Sequence, residues 1–597
     1  MGPLKRLSGP DSWESGPFLM PTGRESSFLS RLTPHRVDPS YGSPALGLPH
    51  IDHCVGTSMR HVYYPLSFSL LALTGLVSWT WPPFAWAYAL LLPLFVLGVR
   101  DMRQTSHSVL RNFPVVGHVR YLLEMIRPEI NQYFVESNQD GRPFSREDRS
   151  IVYQRAKKQL ATLPFGTQRD VREVGYEWMN HSMYPRVAPA QASRVLFGAK
   201  TCKKPYSAAL LNISGMSYGA LSKNAIEALN GGAKDGDFFH NTGEGGISPH
   251  HWKAGGDLVW QIGTAYFACR DEHGRFSSEL FRKQARQDAV KMIEIKLSQG
   301  AKPGHGGILP KEKITDEIAE IRGVSKDKDV ISPPFHSAFH GPEQLLRFIQ
   351  DLRDLSGGKP VGIKLCVGAH SEIEEICQAM VDLGITADFI TVDGGEGGTG
   401  SAPLEFSNSV GSPLADALPV VDDLLVRYGL RDDVKIIASG RILTAFHMAQ
   451  RLAMGADVCN SARGMMMALG CIQALRCNSN ACPVGVATQD PHLVAGLVVE
   501  TKRERVKNYQ HGTVHTLMEL CSAAGLGNPN ELTRFHINRR ISATATATYA
   551  EIYGPGQMPD LIFNMNEFDP EEIDARLNMN ELEAEEDRAN SERKAAG

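Results

Sequence analysis

The sequence predicts an α/β protein: a (β/α)8 TIM barrel preceded by a two-helix transmembrane hairpin at the N-terminus. Two features lead to this prediction. Short β-branched runs alternate with helical stretches over much of the chain, which is typical of parallel β/α units. Near the N-terminus, residues 62–99 carry no charged side chain, as expected of a segment that enters a membrane.

The uncharged run is interpreted as two membrane-spanning helices. Residues 79–83, Trp-Thr-Trp-Pro-Pro, divide it into two apolar halves, each close to the length that crosses the hydrocarbon core. Arg60 precedes the run, whereas Arg100, Arg103 and Arg111 follow it. The positive-inside rule therefore places both ends, and with them the rest of the chain, in the cytoplasm. The alternative is a buried helical hairpin in a soluble domain.

Composition narrows the possible functions. Hydrophobic residues make up 42% of the 597 residues and charged residues 21%, so the chain can bury a large core. The formal net charge is -4 and charges of both signs are interspersed, which argues against the basic surface that a nucleic acid partner requires. We therefore expect no nucleic acid partner.

Changes in composition divide the chain into five segments. The first is rich in Pro, Gly and Ser and is expected to be disordered, or a mis-called extension before Met59. The last ends in a charge-dense tail. The predicted segments are the extension (1–58), the hairpin (59–100), a helical linker region (101–165), the barrel with its cysteine-containing loop (166–530) and a C-terminal extension with the charged tail (531–597).

The alternation of strands and helices is clearest in the second half of the predicted barrel. The predicted strands are 360–367, 387–393, 434–439 and 456–461, and helices are predicted at 342–355 and 444–455. Polar or Gly-rich loops follow these strands, where a β/α barrel keeps its active site. A doubly wound sheet would use the same alternation.

Two loops favour the barrel over the doubly wound sheet. Gly440-Arg441 and Arg463-Gly464 follow the last two predicted strands. Backbone amides and a cation from consecutive final strands are what the shared phosphate site of a barrel requires. Either pair taken alone is also compatible with an ordinary tight turn.

Three of the ten cysteines form a cluster whose odd number prevents pairing among themselves. Cys471, Cys477 and Cys482 have the spacing C-x5-C-x4-C, and Pro483 directly follows the third. Soft thiolates suit an iron-sulfur cluster, and a Cys-Pro pair is common at the end of such motifs. A zinc site would normally need a fourth ligand nearby. Taken alone, the residues leave an iron-sulfur cluster, zinc and buried core cysteines as alternatives.

Several longer stretches resemble a known family. They are "NISGMSYGALSKNAIEAL" (212–229), "NTGEGG" (241–246), "KLSQGAKPGHGGILP" (296–310), "ISPPFH" (331–336), "DGGEGGTG" (393–400) and "ALGCIQALRCNSNACPVGVATQDP" (468–491). Together they resemble the FMN-binding synthase domain of glutamate synthase over roughly residues 150–530. The whole chain most resembles the stand-alone, membrane-anchored members called FMN-binding glutamate synthase family proteins.

The resemblance implies two cofactors, FMN and a 3Fe-4S cluster. It assigns Cys471, Cys477 and Cys482 to the cluster, in which three irons each take one thiolate. It places Met216, Ser217 and Tyr218 along the isoalloxazine ring and Lys364 at its pyrimidine edge, where a fixed cation stabilises the reduced anion. It assigns the phosphate to Gly394, Gly395, Gly440, Arg441, Arg463 and Gly464. Without the resemblance, Lys364 is an ordinary charged residue at a strand end.

The resemblance also implies 2-oxoglutarate or a related keto acid as substrate. It assigns two cations, Lys302 and Arg322, to the carboxylates and Glu244 to catalysis, because two cations are what a dicarboxylate needs. Taken alone, Arg322 is a solvated residue at a helix end. The sequence departs from the family at Ile308, where the full synthases have glutamine, and at His305, which replaces an acidic residue. One substrate hydrogen bond is therefore expected to be missing or supplied elsewhere.

The sequence shows no amidotransferase segment with an N-terminal nucleophilic cysteine before the barrel, and no G-x-G-x-x-G that opens a βαβ unit for a pyridine nucleotide. The expected second substrate is thus ammonia or an amine, and the expected electron donor is a ferredoxin or a separate NAD(P)H-oxidising flavoprotein. The predicted function is reduction of an imine of 2-oxoglutarate to an amino acid. The alternatives are a membrane electron-transfer flavoprotein that reacts with a quinone, and a flavin-binding protein without turnover.

Overall fold

The computed structural model describes residues 59–159, 162 and 164–556. The predictions for residues 1–58 and for the charged tail lie outside the described residues. The chain divides into two compact units, residues 1–123 and residues 124–597.

Two apolar helices form the first described part of the chain. They are Arg60–Thr80 and Tyr88–Arg103, with the 3-10 helix Pro82–Ala87 at the turn. The spans 60–80 and 82–103 have mean hydropathies of 1.3 and 1.7 and are long enough to cross a membrane by length and composition. The hydroxyl of Tyr63 donates to the carbonyl of Leu94 at 2.8 Å, and that of Tyr88 donates to Leu71 at 2.9 Å. These contacts pair the helices in antiparallel fashion, as the predicted hairpin requires.

Short helices follow the hairpin in the region predicted to be a helical linker. They are Ser108–Asn112, Gly117–Ile130 with the π-helical turn Asn131–Val135, and Arg146–Ala156. The last begins at a Ser145 N-cap, whose hydroxyl accepts from the amide of Asp148 at 3.1 Å.

Eight parallel strands close into a barrel in the second unit, which confirms the predicted fold. In chain order they are β1 (Leu211–Ile213), β2 (His240–Asn241), β3 (Leu258–Ile262), β4 (Val290–Lys296), β5 (Val361–Leu365), β6 (Phe389–Asp393), β7 (Lys435–Ser439) and β8 (Val458–Ser461). β8 pairs with β1 through Cys459 and Leu211. This pairing closes the sheet and excludes the doubly wound alternative.

The strands are buried on both faces, which explains why their sequences are almost continuously apolar. Helices cover the outside. Those between successive strands are Lys223–Gly236, Pro249–Trp252, Ser278–Ala285, Asp316–Arg322, Gly341–Leu355, His370–Leu383, Leu404–Ser409, Leu414–Arg427 and Ala445–Ala453. After β8 come Arg463–Leu469, Pro491–Val494 and Val499–Ala523, and the last described helix is Tyr549–Tyr553. The 3-10 turns Lys311–Lys313 and Pro529–Glu531 complete the helical elements of the described residues.

Three small antiparallel sheets lie outside the barrel. Ile308–Leu309 pairs with Val330–Ile331 in the long segment after β4, and Val195–Phe197 pairs with Tyr206–Ala208. Ile537–Arg540 lies between Glu177–Met179 and Thr546–Thr548. The start of the predicted C-terminal extension is therefore joined by hydrogen bonds to residues that precede the barrel.

A buried ion pair joins the barrel to its outer helices. The carboxylate of Asp388, directly before β6, accepts from Arg353 Nη2 at 3.0 Å and from the backbone amide of Val361 at 2.7 Å. Arg353 lies on the helix Gly341–Leu355, and both side chains of the pair are almost fully buried. The pair therefore fixes this helix against β5 and β6.

We expect Asp388→Ala to lower the free energy of unfolding by about 3–5 kcal/mol, because it leaves the Arg353 guanidinium buried without a counter-charge. Lys326→Ala is the control, since Lys326 pairs with Asp316 at the surface, where solvent screens the pair and its loss should cost far less. Urea denaturation of both variants measures the difference. Equal costs would show that the buried pair does not stabilise the barrel.

Candidate active site

A small cavity opens at the carboxyl ends of the barrel strands. Its walls come from the ends of β1 and of β5 to β8, together with the glycine-rich loop after β6 and one aromatic ring from outside the barrel. The lining residues are Phe144, Ser214, Gly215, Lys364, Asp393, Gly397, Gly398, Ser439, Gly440, Arg441, Ile442, Leu443, Asn460, Ala462 and Arg463. The barrel thus brings together the predicted residues Lys364, Gly440, Arg441 and Arg463.

The side of the cavity formed by β7 and β8 is cationic. Arg463 donates to the carbonyl of Glu396 at 2.7 Å, and its guanidinium lies 4.7 Å from the centre of the Phe144 ring. Burial, and then the nearby charge of Arg441, lowers the pKa of Arg463 to about 10, so it remains protonated at neutral pH. Arg441 itself has a left-handed backbone with φ of 49°, a strained conformation common at functional sites.

Asn460, at the end of β8, is the clearest sign that the cavity accepts a polar ligand. Its side chain is 2% exposed, yet neither its amide nitrogen nor its oxygen has a hydrogen-bond partner among the described residues. Buried polar groups are costly when unpaired. A ligand that offers both a donor and an acceptor would satisfy this residue. The sequence prediction did not include it.

Lys364 also lines the cavity. It is protonated. Its ammonium group is 3.2 Å from Asp393 Oδ2. Burial opposes the charge, but Asp393 and Glu294 outweigh burial and raise the pKa of Lys364. Asp393 also accepts from the backbone amide of Gly300 at 3.0 Å, which draws the loop after β4 towards the cavity. Gly300 has to be glycine, since a Cβ there would overlap the carbonyl oxygen of Gly394.

A second set of charged side chains surrounds Glu244, which lies in the loop after β2. Lys296, at the end of β4, donates to Glu244 Oε1 at 2.6 Å and to Gln299 Oε1 at 2.6 Å. Burial alone would raise the pKa of Glu244, but Lys296 and, more weakly, Lys302 and Arg322 reverse the effect and lower it. Glu244 is therefore ionised and senses three cations. We call Glu244, Lys296, Lys302 and Arg322 the charge cluster.

The two cations predicted to bind substrate are buried. Lys302 donates to the carbonyl of Ser401 at 2.6 Å, and burial lowers its pKa to about 8. Arg322 donates to the carbonyl of Tyr218 at 2.8 Å, and burial lowers its pKa to about 10. Its Nε has no partner within the part of the chain that the structure describes. Arg322 is thus not a solvated residue at a helix end.

Lys296 is a functional candidate that the sequence prediction missed. It lies in the quoted stretch 296–310 and ends a barrel strand, so the usual position of barrel active sites could have identified it. Its side chain is almost fully buried. It provides the shortest ion pair to Glu244 in the charge cluster.

The residues predicted to line a flavin ring lie next to the charge cluster. Arg322 contacts Ser217 Oγ at 3.4 Å as well as the carbonyl of Tyr218. The Tyr218 hydroxyl donates to Glu317, and its ring meets that of His250 edge-on at 4.9 Å. Met216 and Ser217 approach Gly243 so closely that a Cβ at Gly243 would lie 2.6 Å from the amide nitrogen of Ser217. The loops after β1 and β2 are therefore held together.

Three predicted phosphate ligands are not part of the cavity wall. The amide of Gly394 donates to Ser439 O at 2.9 Å and that of Gly395 to Ser412 O at 2.7 Å. Gly464 is buried against Tyr509. Of the glycines after β6, Gly397 and Gly398 line the cavity instead.

The two departures from the family sequence lie in the long segment after β4. Ile308 is half-buried in its short antiparallel strand. A ring nitrogen of His305, Nδ1, lies 2.8 Å from the carbonyl of Gly306, and the ring meets Phe406 edge-on at 5.4 Å. The adjacent Gly307 approaches Glu244 so closely that a Cβ there would lie 2.5 Å from Oε1. This segment therefore lies against the charge cluster.

Residues 471–482, which we call the cysteine loop, follow β8 in irregular backbone with left-handed φ at Gln473, Leu475 and Asn480. Cys482 is buried, whereas Cys471 and Cys477 are half-buried. Burial, and then the nearby Cys477 and Cys482, raises the pKa of Cys471 to about 11. Within the described ranges, no three His, Cys, Asp or Glu side chains come together as they would around a single metal ion.

Lys313 joins the cysteine loop to the loop after β1. Its ammonium group donates to the carbonyl of Ala220 at 2.7 Å and to that of Cys477 at 3.1 Å. Gln489 also donates to the loop after β1, at the carbonyls of Gly219 and Leu221. These bonds join the segment that contains the cysteine loop to the loop after β1, which carries the residues predicted to line the flavin ring.

Comparison with known proteins relates this chain to one family. The model of the conserved region in glutamate synthase matches residues 185–527. The glutamate synthase large subunit-like protein YerD of Bacillus subtilis is 39% identical, over 76% of this chain and 92% of that protein. The archaeal NADPH glutamate synthase of Methanocaldococcus jannaschii is 36% identical, over 54% of this chain and 60% of that protein.

Among solved structures, a mandelate oxidase variant with a monooxide FMN adduct matches at a TM-score of 0.37 and 14% identity. The match covers 71% of this chain and 99% of that chain. A score this low supports no conclusion about the site of this chain.

We expect Lys296→Met to raise the pKa of Glu244, because burial remains while the nearest cation is lost. Infrared spectra near neutral pH should then show the band of a protonated carboxylic acid, which Glu244→Gln in the same background removes. Lys291→Met is the control, since Lys291 pairs with Asp257 away from the charge cluster. If Glu244 stays ionised in Lys296→Met, the other two cations are sufficient to hold its charge.

Proposed function

Because the chain belongs to the glutamate synthase family, we propose that it is an FMN-dependent iron-sulfur oxidoreductase that reduces an imine of 2-oxoglutarate, or of a related keto acid, to an amino acid. The observation that carries this proposal is the placement of two charged groups at one end of the barrel. A cavity with Arg441, Arg463 and Asn460 lies on one side, and the charge cluster lies on the other. Burial opposes the charge of Lys364, but Asp393, Glu294 and, most weakly, Glu244 raise its pKa, so the carboxylate of the charge cluster also favours the charged lysine in the cavity.

The residues of the cavity fit FMN. Arg441 and Arg463 supply two cations for a phosphate, as the final strands of barrels commonly do. Asn460 has an unsatisfied donor and an unsatisfied acceptor, and Lys364 provides a fixed positive charge that favours a reduced, anionic ring. When bound, FMN supplies the two-electron reduction. Met216, Ser217 and Tyr218 are proposed to line its ring.

The charge cluster fits a dicarboxylate and the nitrogen that becomes the amino group. Lys302 and Arg322 are buried cations, and charge-assisted hydrogen bonds to carboxylates are strong in such surroundings. Glu244 is ionised, so it is suited to hold a cationic nitrogen or to accept a proton. Lys296 keeps Glu244 charged and oriented. The chain's own contribution is therefore to bind and orient the substrate and to manage its protons.

Ile308 supports the broader proposal, in which the substrate is a keto acid related to 2-oxoglutarate. An isoleucine offers no hydrogen bond where the full synthases have glutamine. The aromatic ring of Phe406 packs on His305 in the same segment. The proposed second substrate is ammonia or an amine, and the wall near Ile308 is the place where a less polar substrate would be accommodated.

The cysteine loop is proposed to hold a 3Fe-4S cluster through Cys471, Cys477 and Cys482. The donor set fits, because iron-sulfur clusters take thiolates and three of these side chains share one short loop. The contacts of Lys313 support electron transfer between this loop and the flavin, since they hold the loop against residues 216–220. The proposed electron donor is a ferredoxin or an NAD(P)H-oxidising flavoprotein.

The apolar helices 60–80 and 82–103 support a membrane-anchored protein whose catalytic domain lies in the cytoplasm. The catalytic domain is proposed to comprise residues 166–530. We propose that 101–165 is a helical linker region and that 531–597 is an extension of the domain.

We expect Lys302→Met and Glu244→Gln to affect different steps. Lys302→Met removes a charged hydrogen bond and should weaken binding of 2-oxoglutarate about 10- to 100-fold. Glu244→Gln should slow reoxidation of the reduced flavin at saturating substrate by about 10²- to 10⁴-fold. Stopped-flow absorbance separates the two effects. Lys311→Met and Glu312→Gln, at exposed positions, are the controls; equal behaviour of variants and controls would contradict the assigned roles.

We expect each of Cys471→Ser, Cys477→Ser and Cys482→Ser to abolish the low-temperature paramagnetic signal of an oxidised 3Fe-4S cluster, because each variant removes one of the three thiolates proposed to hold the cluster. Flavin content, measured by absorbance, checks that the barrel remains intact. Cys377→Ser is the control, since Cys377 is buried in the helix His370–Leu383. A full signal in all three variants would rule out the assignment.

A further inference from the structure

The helix Gly117–Ile130 and the π-helical turn that follows it present a long apolar surface to solvent. Its exposed large side chains in the second unit are Met125, Ile126, Ile130, Tyr133, Phe134 and Val135. Ile126, Ile130 and Phe134 recur at intervals of four, which places them on one side of the helix. We call these six side chains the apolar face. Phe134 is 84% exposed, a large cost in water unless the face has a partner.

The charges of the helix are balanced. Arg120, Glu124 and Arg127 recur along another side, and Glu129 adds a second negative charge. The helix therefore has no excess of either sign that would select a charged partner. The partner that fits this surface is one recognised by apolar burial.

The helix and turn that carry the apolar face are joined directly to the cysteine loop. The Gln132 side chain donates from Nε2 to the carbonyl of Ile472 at 2.8 Å, and Arg476 pairs with Glu129 at 3.5 Å. Tyr153 donates to the carbonyl of Cys471 at 2.7 Å, which adds a further attachment on this side. Leu475, at the tip of the loop, is 70% exposed. Leu475 is thus an apolar side chain that the cysteine loop presents to solvent.

We propose that the apolar face and Leu475 lie on the surface of a lipid bilayer. The inference rests on the proposed membrane anchor: only residues 104–116 connect the second membrane-compatible helix to this one, so a bilayer is the apolar phase available to it. An amphipathic helix with aromatic and aliphatic side chains on one side commonly lies in the interfacial layer. Tyr133 suits that layer, because its ring is apolar and its hydroxyl is polar.

The consequence concerns access to the three cysteines. With Leu475 and the apolar face on the bilayer, the cysteine loop lies at the membrane surface. A redox partner that reaches this loop then works at the membrane surface.

The test uses the full-length protein in lipid nanodiscs that contain a phospholipid with a photoreactive diazirine. After illumination, mass spectrometry maps the lipid adducts on the chain. We expect adducts on residues 125–135 and 472–476 as well as on 60–103, with equal yields in zwitterionic and anionic lipid. Phe134→Glu should reduce the adducts on 125–135 several-fold. Met183→Glu is the matched control, since Met183 is 83% exposed at a site outside the apolar face, and it should change nothing.

Adducts confined to 60–103 would overturn the inference while leaving the anchor intact, and would indicate a protein as the partner of the apolar face. Absence of adducts from 60–103 as well would overturn both the inference and the proposed anchor. Labelling of 125–135 that requires anionic lipid would contradict recognition by apolar burial. Unchanged labelling in Phe134→Glu and in a second variant, Ile130→Lys, would also contradict the proposal.

Discussion

Glu244 keeps its negative charge inside the protein only because cations surround it. Burial favours the neutral acid, whereas Lys296 at 2.6 Å and the more distant Lys302 and Arg322 favour the carboxylate. In turn, Glu244 opposes the loss of charge that burial imposes on Lys302 and Arg322. The charges of the cluster therefore stabilise one another. Glu244 follows β2, whereas the three cations lie at the end of β4 and in the long segment after it, so the balance exists only when these two parts of the barrel meet.

The same balance extends to the cavity beside the charge cluster. Asp393 pairs with Lys364 and accepts from the amide of Gly300, so one carboxylate orders both the cavity and the loop that carries Lys302. Arg463 is held in place by the carbonyl of Glu396 and by the Phe144 ring. A ligand with a phosphate group would complete the cavity. A dicarboxylate would complete the charge cluster. In the proposed function, the cavity takes the phosphate and the charge cluster takes the dicarboxylate.

Much of this arrangement could be predicted from the sequence because it depends on local patterns. The alternation of strands and helices predicted the barrel, and Gly440-Arg441 with Arg463 predicted one side of the cavity. Phe144 could not be predicted, since its contact with Arg463 joins residues far apart in the chain, from a region that otherwise reads as a helical linker. Asn460 could not be predicted from the sequence either. Only the structure shows that its buried amide has no hydrogen-bond partner among the described residues. Gly394, Gly395 and Gly464 are not among the residues that line the cavity, so their predicted role at the phosphate stays a prediction.

The central claim is that the charge cluster presents a keto acid and a nitrogen donor to a reduced flavin. The most direct measurement loads the full-length protein with FMN, reduces it with light in the absence of oxygen, and adds keto acids and amines singly and in pairs. The account predicts that the flavin is reoxidised only when both substrates are present, beginning with 2-oxoglutarate and ammonia or a related pair, and that one amino acid forms for each flavin reoxidised. A reduced flavin that survives every pair would contradict it.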